Sequence, residues 1–195
     1  MHILHIDSAV TGEDSISRKL TADIVAKLTS NNPDATVTYR DLNEGIPAID
    51  TEWYRGVRLA PENPTAEQQK RIAVSDAYLK ELQDADVLVL ASPVYNFGIT
   101  AQVKSWIDQI TRAGITFRYS EAGAEGLLKG KRAIIAYSAA GTPLGSELDF
   151  ASGYLRHLLG FNGITDVTFV AADLLAVDRE AGLARAQEAL DKLAA

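Results

Sequence analysis

The sequence predicts an α/β protein built on a doubly wound parallel sheet. Short apolar stretches alternate with helical patterns along the chain, and three of these stretches are almost continuously apolar. Such stretches are typical of strands buried on both faces, as they are where helices cover a parallel sheet. Because crossovers between parallel strands are right-handed, the alternation predicts helices on both faces of the sheet.

Five segments are expected to form the strands of this sheet. Short apolar stretches cover residues 3–6, 87–91, 133–137 and 167–171. A weaker, alternating stretch over residues 35–40 is typical of an edge strand. Five such strands suggest the order 2-1-3-4-5, with strands numbered along the chain.

Helices are expected between and after the strands. Apolar side chains recur at helical spacing in two segments, at Ile16, Leu20, Ile24 and Leu28, and at Ile99, Val103, Trp106, Ile107 and Ile110. Residues 65–82 begin with a capping-box sequence. Residues 148–159 are expected to form a helix closed by Gly160, and residues 180–193 form the last one.

Composition limits the class of function. The chain has 195 residues, so we expect one domain over residues 1–195. Its net charge is -7 and it has no basic run, which argues against a nucleic-acid partner. It has no cysteine, which suits a reducing cytoplasm, and no apolar run near the roughly 18 residues of a membrane span. We therefore expect a cytoplasmic protein without nucleic-acid or membrane partners.

The long connection over residues 43–64 and the three histidines each bear on possible functional sites. Residues 43–64 form a longer connection than the fold needs, which indicates either a functional lid or dimer contact, or a solvated surface insertion. His2, His5 and His157 lack the spacing of metal ligands, so no metal site is expected.

The ligand site is expected at the carboxyl edge of the sheet, where the strand order reverses. The first loop there, residues 7–17, places the hydroxyls of Ser8, Ser15 and Ser17 around the start of a helix, whose free N–H groups suit a phosphate. Neither a P-loop nor a dinucleotide fingerprint is present, so a monophosphate fits better. The alternative, that Asp14 or Ser15 only caps the helix, remains open.

Two further loops border the same edge. Residues 92–99 place two aromatic rings and an amide there, on a backbone expected to be held by Pro93 and Gly98, and this backbone could bind the edge of a flat heterocycle. A tight turn with incidental packing is the alternative. Residues 138–145 are small and precede a helix expected near Glu147, whose start could support negative charge on a ligand. Together the loops describe a site for a mononucleotide of flavin size.

The sequence resembles the FMN-dependent NADH azoreductases, which also act as NADH:quinone oxidoreductases and have the flavodoxin-like fold. The resemblance covers nearly the whole chain and rests on Ser8 with residues 15–17, and on residues 93–99, 104–108, 114–119 and 159–166. It implies one FMN per subunit, with the phosphate at Ser8, Ser15, Ile16 and Ser17, the isoalloxazine ring at Pro93, Val94, Tyr95, Asn96 and Phe97, and the pyrimidine side at Ser138, Ala139, Ala140 and Gly141. The family often has a larger residue and two glycines after this serine, where this chain has Ala139, Ala140 and Gly141.

The same resemblance implies the reaction. NADH or NADPH would pass a hydride to flavin N5, and quinones or azo compounds would then take two electrons in a ping-pong cycle, so that no side chain acts as a nucleophile. It also implies a homodimer, with Tyr119 and Phe161 as candidate substrate contacts. The alternative is a flavodoxin-type electron carrier that passes single electrons to protein partners.

Overall fold

A five-stranded parallel sheet forms the centre of the structure, a computed structural model that describes residues 1–193. The last two residues of the domain expected over 1–195 lie outside this range. The strands are β1 (His2–Asp7), β2 (Thr36–Asp41), β3 (Val87–Pro93), β4 (Phe117–Ser120), β5 (Gly123–Gly126), β6 (Arg132–Ser138) and β7 (Asp166–Ala172). The sheet order β2-β1-β3-β6-β7 is the predicted 2-1-3-4-5, because β4 and β5 form a separate hairpin. All its pairings are parallel, as predicted.

Helices lie on both faces of the sheet. They are α1 (Ile16–Asn31), α2 (Thr51–Trp53), α3 (Ala66–Asp84), α4 (Ala101–Ile110), α5 (Ser152–Asn162) and α6 (Arg179–Asp191). Alternate side chains of β3 point to opposite faces: Leu88 and Leu90 pack with α3, α4 and α5, whereas Val87 and Val89 pack with α1 and α6. An apolar cluster thus lies on each face of the sheet. This explains why the strands are continuously apolar, since both of their faces need apolar side chains.

The helix expected over residues 148–159 begins and ends later than predicted. It starts at Ser152, because the carboxylate of Asp149 accepts the N–H groups of Ala151 and Ser152 at 3.0 and 2.9 Å and ends the preceding turn there. Gly160 lies inside the helix and does not close it. The left-handed residue after the helix is Gly163, at φ 109°.

The β4–β5 hairpin was not predicted. Within β4 and β5 only Phe117 and Gly126 are buried, so the segment carries no apolar periodicity. The hairpin packs against the end of α5 at two glycines. A Cβ added to Gly126 would lie 2.2 Å from the backbone N of Gly163, so neither position has room for a side chain.

The segment over residues 43–64 is folded onto the helices, which excludes a wholly solvated insertion. It contains α2 and a π-helical turn, Tyr54–Arg58, and it buries Trp53 and Val57. The indole N–H of Trp53 donates to Oε1 of Gln109 in α4 at 2.7 Å. A role as a lid or dimer contact remains a prediction.

Candidate functional site

The three predicted loops meet at the carboxyl edge of the sheet. The N–H of Val94 donates to the carbonyl of Ser138 at 2.8 Å, and the hydroxyl of Ser8 donates to the carbonyl of Ala91 at 2.9 Å. Two adjoining clefts of about 310 and 330 Å³ share Val94 and Ala140. Clefts of roughly 300–1,000 Å³ are the size that small ligands occupy.

Most of the predicted site residues line these clefts. They are Ser15, Ile16, Pro93, Val94, Tyr95, Asn96, Phe97, Ser138, Ala139, Ala140 and Gly141. The predicted residues that line neither cleft are Ser8, Ser17, Tyr119 and Phe161. The side chains of Ser8 and Ser17 are fully buried, and the Ser8 proton is already donated to Ala91.

The first loop leads into α1 through a serine cap. Ser15 is the N-cap residue, and its hydroxyl accepts the N–H of Arg18 at 3.3 Å and lies 3.1 Å from that of Ser17. Ser15 therefore caps the helix, and a contact between Ser15 and a phosphate stays a prediction. Among residues 1–193 no acceptor faces the N–H groups of Ile16 and Ser17. Ile16 lines the first cleft at the positive end of the helix, where an anion is favoured, whereas Ser17 is buried and lines neither cleft.

A buried ion-pair cluster lies behind this loop, and sequence reasoning missed it. The guanidinium of Arg18 contacts Asp41 at 2.7 Å and Asp7 at 3.5 Å. It also donates Nε and Nη2 to the carbonyl of Ala9 at 3.2 and 3.1 Å. The register of β1 against β2 is the signal that could have indicated the cluster, because their parallel pairing places Asp7 opposite Asp41.

The cluster favours the charged forms of Asp7 and Arg18 and the neutral form of Tyr39. Burial acts to raise the pKa of Asp7, but hydrogen bonds and charge from His5, with hydrogen bonds from Thr21 and Tyr39, outweigh it and leave that pKa below its usual value. Burial next to the Asp7 carboxylate raises the pKa of Tyr39 to about 12. Burial acts to lower the pKa of Arg18, yet the Asp41 carboxylate leaves it above the usual value.

The second loop is a tight turn with two left-handed residues. Tyr95 and Gly98 exchange backbone hydrogen bonds of 3.1 Å, and between them Asn96 and Phe97 have φ of 50° and 69°. This is the pattern of a type I′ hairpin turn. Gly98 closes the turn through these bonds without a positive φ, and an added Cβ there would meet no protein atom within 4 Å.

The third loop presents free backbone N–H groups beside the turn. The N–H of Ala139 donates to Ala172 at 3.1 Å, and the carbonyls of Ala139 and Ala140 accept from Leu175 and Ala176 at 3.1 and 2.8 Å. Within the described part of the chain, the N–H groups of Ala140 and Gly141 face no acceptor. They point to ligand contacts made by backbone, for which the alanine side chains matter little.

The helix start expected near Glu147 does not serve the site. Because α5 begins at Ser152 and none of its residues lines either cleft, the start of this helix lies away from the site. Burial acts to raise the pKa of Asp149, but hydrogen bonds from Ser152 and the nearby backbone leave it lowered.

Tyr119 and Phe161 belong to a separate aromatic cluster. Both contact Phe117, with ring centroids 5.6 and 4.5 Å apart, and Tyr119 is 72% exposed. Neither residue lines either of the two clefts described above.

Two kinds of feature are absent from residues 1–193, a metal-type cluster and a membrane-spanning helix. No group of three or more His, Cys, Asp or Glu side chains in that range could hold a metal ion. No helix in it is long and apolar enough to cross a membrane.

The fold and the three loops define a flavodoxin-like protein with a mononucleotide-type site at the switch point of its sheet. The family described as having a flavodoxin-like fold matches residues 1–194. An FMN-dependent NADH:quinone oxidoreductase of Cereibacter sphaeroides (strain KD131 / KCTC 12085) is 54% identical over 193 residues, which cover 99% of this chain and 98% of that one. FMN-dependent NADH:quinone oxidoreductase 1 of Jannaschia sp. (strain CCS1) is 50% identical over 195 residues, which cover 100% and 99%.

A solved structure agrees with these relatives. The azoreductase from Bacillus anthracis str. Sterne superposes with a TM-score of 0.87 at 26% identity, covering 98% of this chain and 96% of that one. The chain belongs to the flavodoxin-like family of FMN-dependent NADH:quinone oxidoreductases and azoreductases, and it is an enzyme. The predicted family is confirmed.

Proposed function

We propose that this enzyme binds one FMN per subunit, in a single domain over residues 1–195, and uses NADH or NADPH to reduce quinones to hydroquinones and to cleave azo bonds. Relatives of about half identity are named as FMN-dependent NADH:quinone oxidoreductases. The observation that carries the proposal is that the three loops line two adjoining clefts, where the N–H groups of Ile16, Ala140 and Gly141 make no hydrogen bond within residues 1–193.

The donor set fits FMN. A phosphate monoester needs several hydrogen-bond donors and a positive potential, which the start of α1 supplies through the N–H groups of Ile16 and Ser17. The hydroxyls of Ser15 and Ser17 lie beside these groups. Ser8 would contribute by bracing the loop through Ala91, because its hydroxyl proton is used there.

The other loops suit the flavin ring. Residues 93–97 would hold the isoalloxazine ring, with Phe97 at the cleft wall and 52% exposed. The N–H groups of Ala140 and Gly141 would bond the pyrimidine side and stabilise negative charge that develops there. The contacts proposed at Ala140 and Gly141 are made by backbone N–H groups. Ala139 and Ala140 are therefore compatible with flavin binding, although they differ from the residues common in the family.

When bound, FMN would supply the two-electron redox chemistry between the nicotinamide and the acceptor, by way of its N5 and in a ping-pong cycle. The protein then needs no nucleophile and no dinucleotide-binding half. Its residues hold the ring, keep one face open for the two substrates in turn, and fix the phosphate.

We also propose a homodimer in the cytoplasm. Tyr119 and Phe161 line neither cleft of their own chain, so a contact with substrate would have to be made in the partner's site. The exposed rings of Phe97, Tyr119 and Phe150 leave apolar surface for such an interface. Sedimentation equilibrium is expected to give twice the chain mass of 21.0 kDa, and a monomer at working concentration would contradict the dimer.

Stopped-flow absorbance tests the function directly. The FMN-loaded protein is mixed with NADH or NADPH, and the reduced protein is then mixed with a quinone or an azo dye. We expect full bleaching of the flavin by at least one nicotinamide, followed by reoxidation without a semiquinone. Flavin that neither nicotinamide reduces, or a stable blue semiquinone with no nicotinamide reaction, would instead support the electron-carrier alternative.

A further inference from the structure

The peptide group between Ala9 and Val10 is fixed from both sides. Its carbonyl accepts Nε and Nη2 of Arg18 at 3.2 and 3.1 Å, and Nδ2 of Asn43 at 2.7 Å. Its N–H donates to the hydroxyl of Tyr95 at 3.3 Å. A carbonyl oxygen has two lone pairs, so three N–H donors saturate it. This peptide is therefore held in one orientation.

The fixed peptide stands at the entrance to the first loop. The cleft-lining residues Thr11, Asp14 and Ser15 follow it directly, and the loop ends at the cap of α1. The orientation of the Ala9–Val10 peptide therefore sets where the loop starts, while α1 sets where it ends. Tyr95 lies on the second loop, so the same peptide also links the two loops.

The charge of Arg18 is not available to a ligand. Asp41 and Asp7 lie 2.7 and 3.5 Å from its guanidinium, and its side chain is 16% exposed. Asp41 and Asp7 therefore neutralise the charge of the guanidinium. An anion next to this loop would gain nothing from the cluster by direct attraction.

We propose that Arg18 is a positioning residue, which fixes the Ala9–Val10 peptide and thereby shapes the phosphate end of the FMN site without binding the phosphate. The inference rests on the proposed function. The planar, forked guanidinium of Arg18 is essential to this role. A lysine keeps the charge but cannot donate to Ala9 and to Asp41 from the same rigid plane. Asn43 acts on the same carbonyl from the segment over residues 43–64.

The test compares FMN with riboflavin, which lacks the phosphate, by fluorescence titration of the apoprotein. Arg18→Lys is expected to raise the Kd for FMN roughly fivefold to tenfold, about the net worth of one hydrogen bond, and to change the Kd for riboflavin much less. Asn43→Ala removes an exposed side chain. It is expected to raise the ratio of the FMN Kd to the riboflavin Kd as well, by a smaller factor. Arg40→Lys is the matched control, since Arg40 pairs with Glu81 away from the loop.

The outcomes separate the two proposals. If the wild-type protein does not bind FMN, the proposed function fails and the positioning role fails with it. If it binds FMN and Arg18→Lys keeps the wild-type ratio of the two Kd values, or weakens both ligands equally, only the positioning role is overturned. Should Arg18→Lys not fold, an unchanged ratio in Asn43→Ala overturns it instead.

Discussion

Phe97 holds a backbone conformation that its side chain does not favour. Left-handed φ is tolerated by asparagine, as at Asn96, but costs most other residues about 1 kcal/mol. Phe97 has φ 69° and its ring is 52% exposed, so burial in the core does not offset the cost. Strain of this kind concentrates at ligand sites. The strain at Phe97 agrees with the ligand-binding role proposed for the turn over residues 95–98.

The strain at Phe97 is measurable by comparing two truncations. Both Phe97→Gly and Phe97→Ala remove the ring, but only glycine adopts a positive φ freely. We expect the glycine variant to unfold at higher urea, with a free energy of unfolding about 1 kcal/mol above that of the alanine variant.

Leu183 in α6 is the control, because it is 37% exposed on an ordinary helical backbone. There the order is expected to reverse, with alanine about 1 kcal/mol more stable than glycine. An alanine variant at Phe97 as stable as the glycine variant would mean that the turn carries no strain.

Among the elements, the core strands could be predicted because their burial follows from their own residues. Every residue of β3 is buried, and its side chains are apolar through Ala91. The β4–β5 hairpin could not be predicted, since it is positioned by the contact between Gly126 and Gly163, far apart in the chain. The start of α5 likewise depends on which backbone groups Asp149 accepts, which no periodicity indicates.

Two glycine substitutions test this account of the hairpin and of α5. Gly126→Ala would place a Cβ 2.2 Å from backbone, so the hairpin must shift, and we expect a loss of about 2–4 kcal/mol in the free energy of unfolding. Gly160→Ala fills open space inside α5 and is expected to add about 0.5–1 kcal/mol. Urea denaturation measures both. If Gly160→Ala lowered the free energy of unfolding, the result would instead support the expectation from the sequence that Gly160 ends the helix.

In the whole molecule, the sequence located the three loops but not what braces them. Strand order alone brings residues 7–17, 92–99 and 138–145 to one edge, so the loops followed from the topology. Arg18, Asp7 and Asp41 meet only because β1 and β2 pair in one particular register, which apolar pattern does not specify. The ionic part of the site therefore had to come from the structure.

The overall charge of -7 opposes an anionic cofactor, while the contacts proposed for its phosphate are neutral and local. Long-range repulsion acts on approach and is screened by salt, whereas bonds to the backbone of Ile16 and Ser17 act after contact. We therefore expect the association rate of FMN to rise roughly twofold to fivefold between about 10 and 200 mM salt, with little change in its dissociation rate. Stopped-flow quenching of flavin fluorescence measures both rates. Neutral riboflavin is the control, and its association rate should not change with salt. An FMN association rate that falls with salt would mean that a local positive field governs binding, which the neutralised Arg18 does not supply.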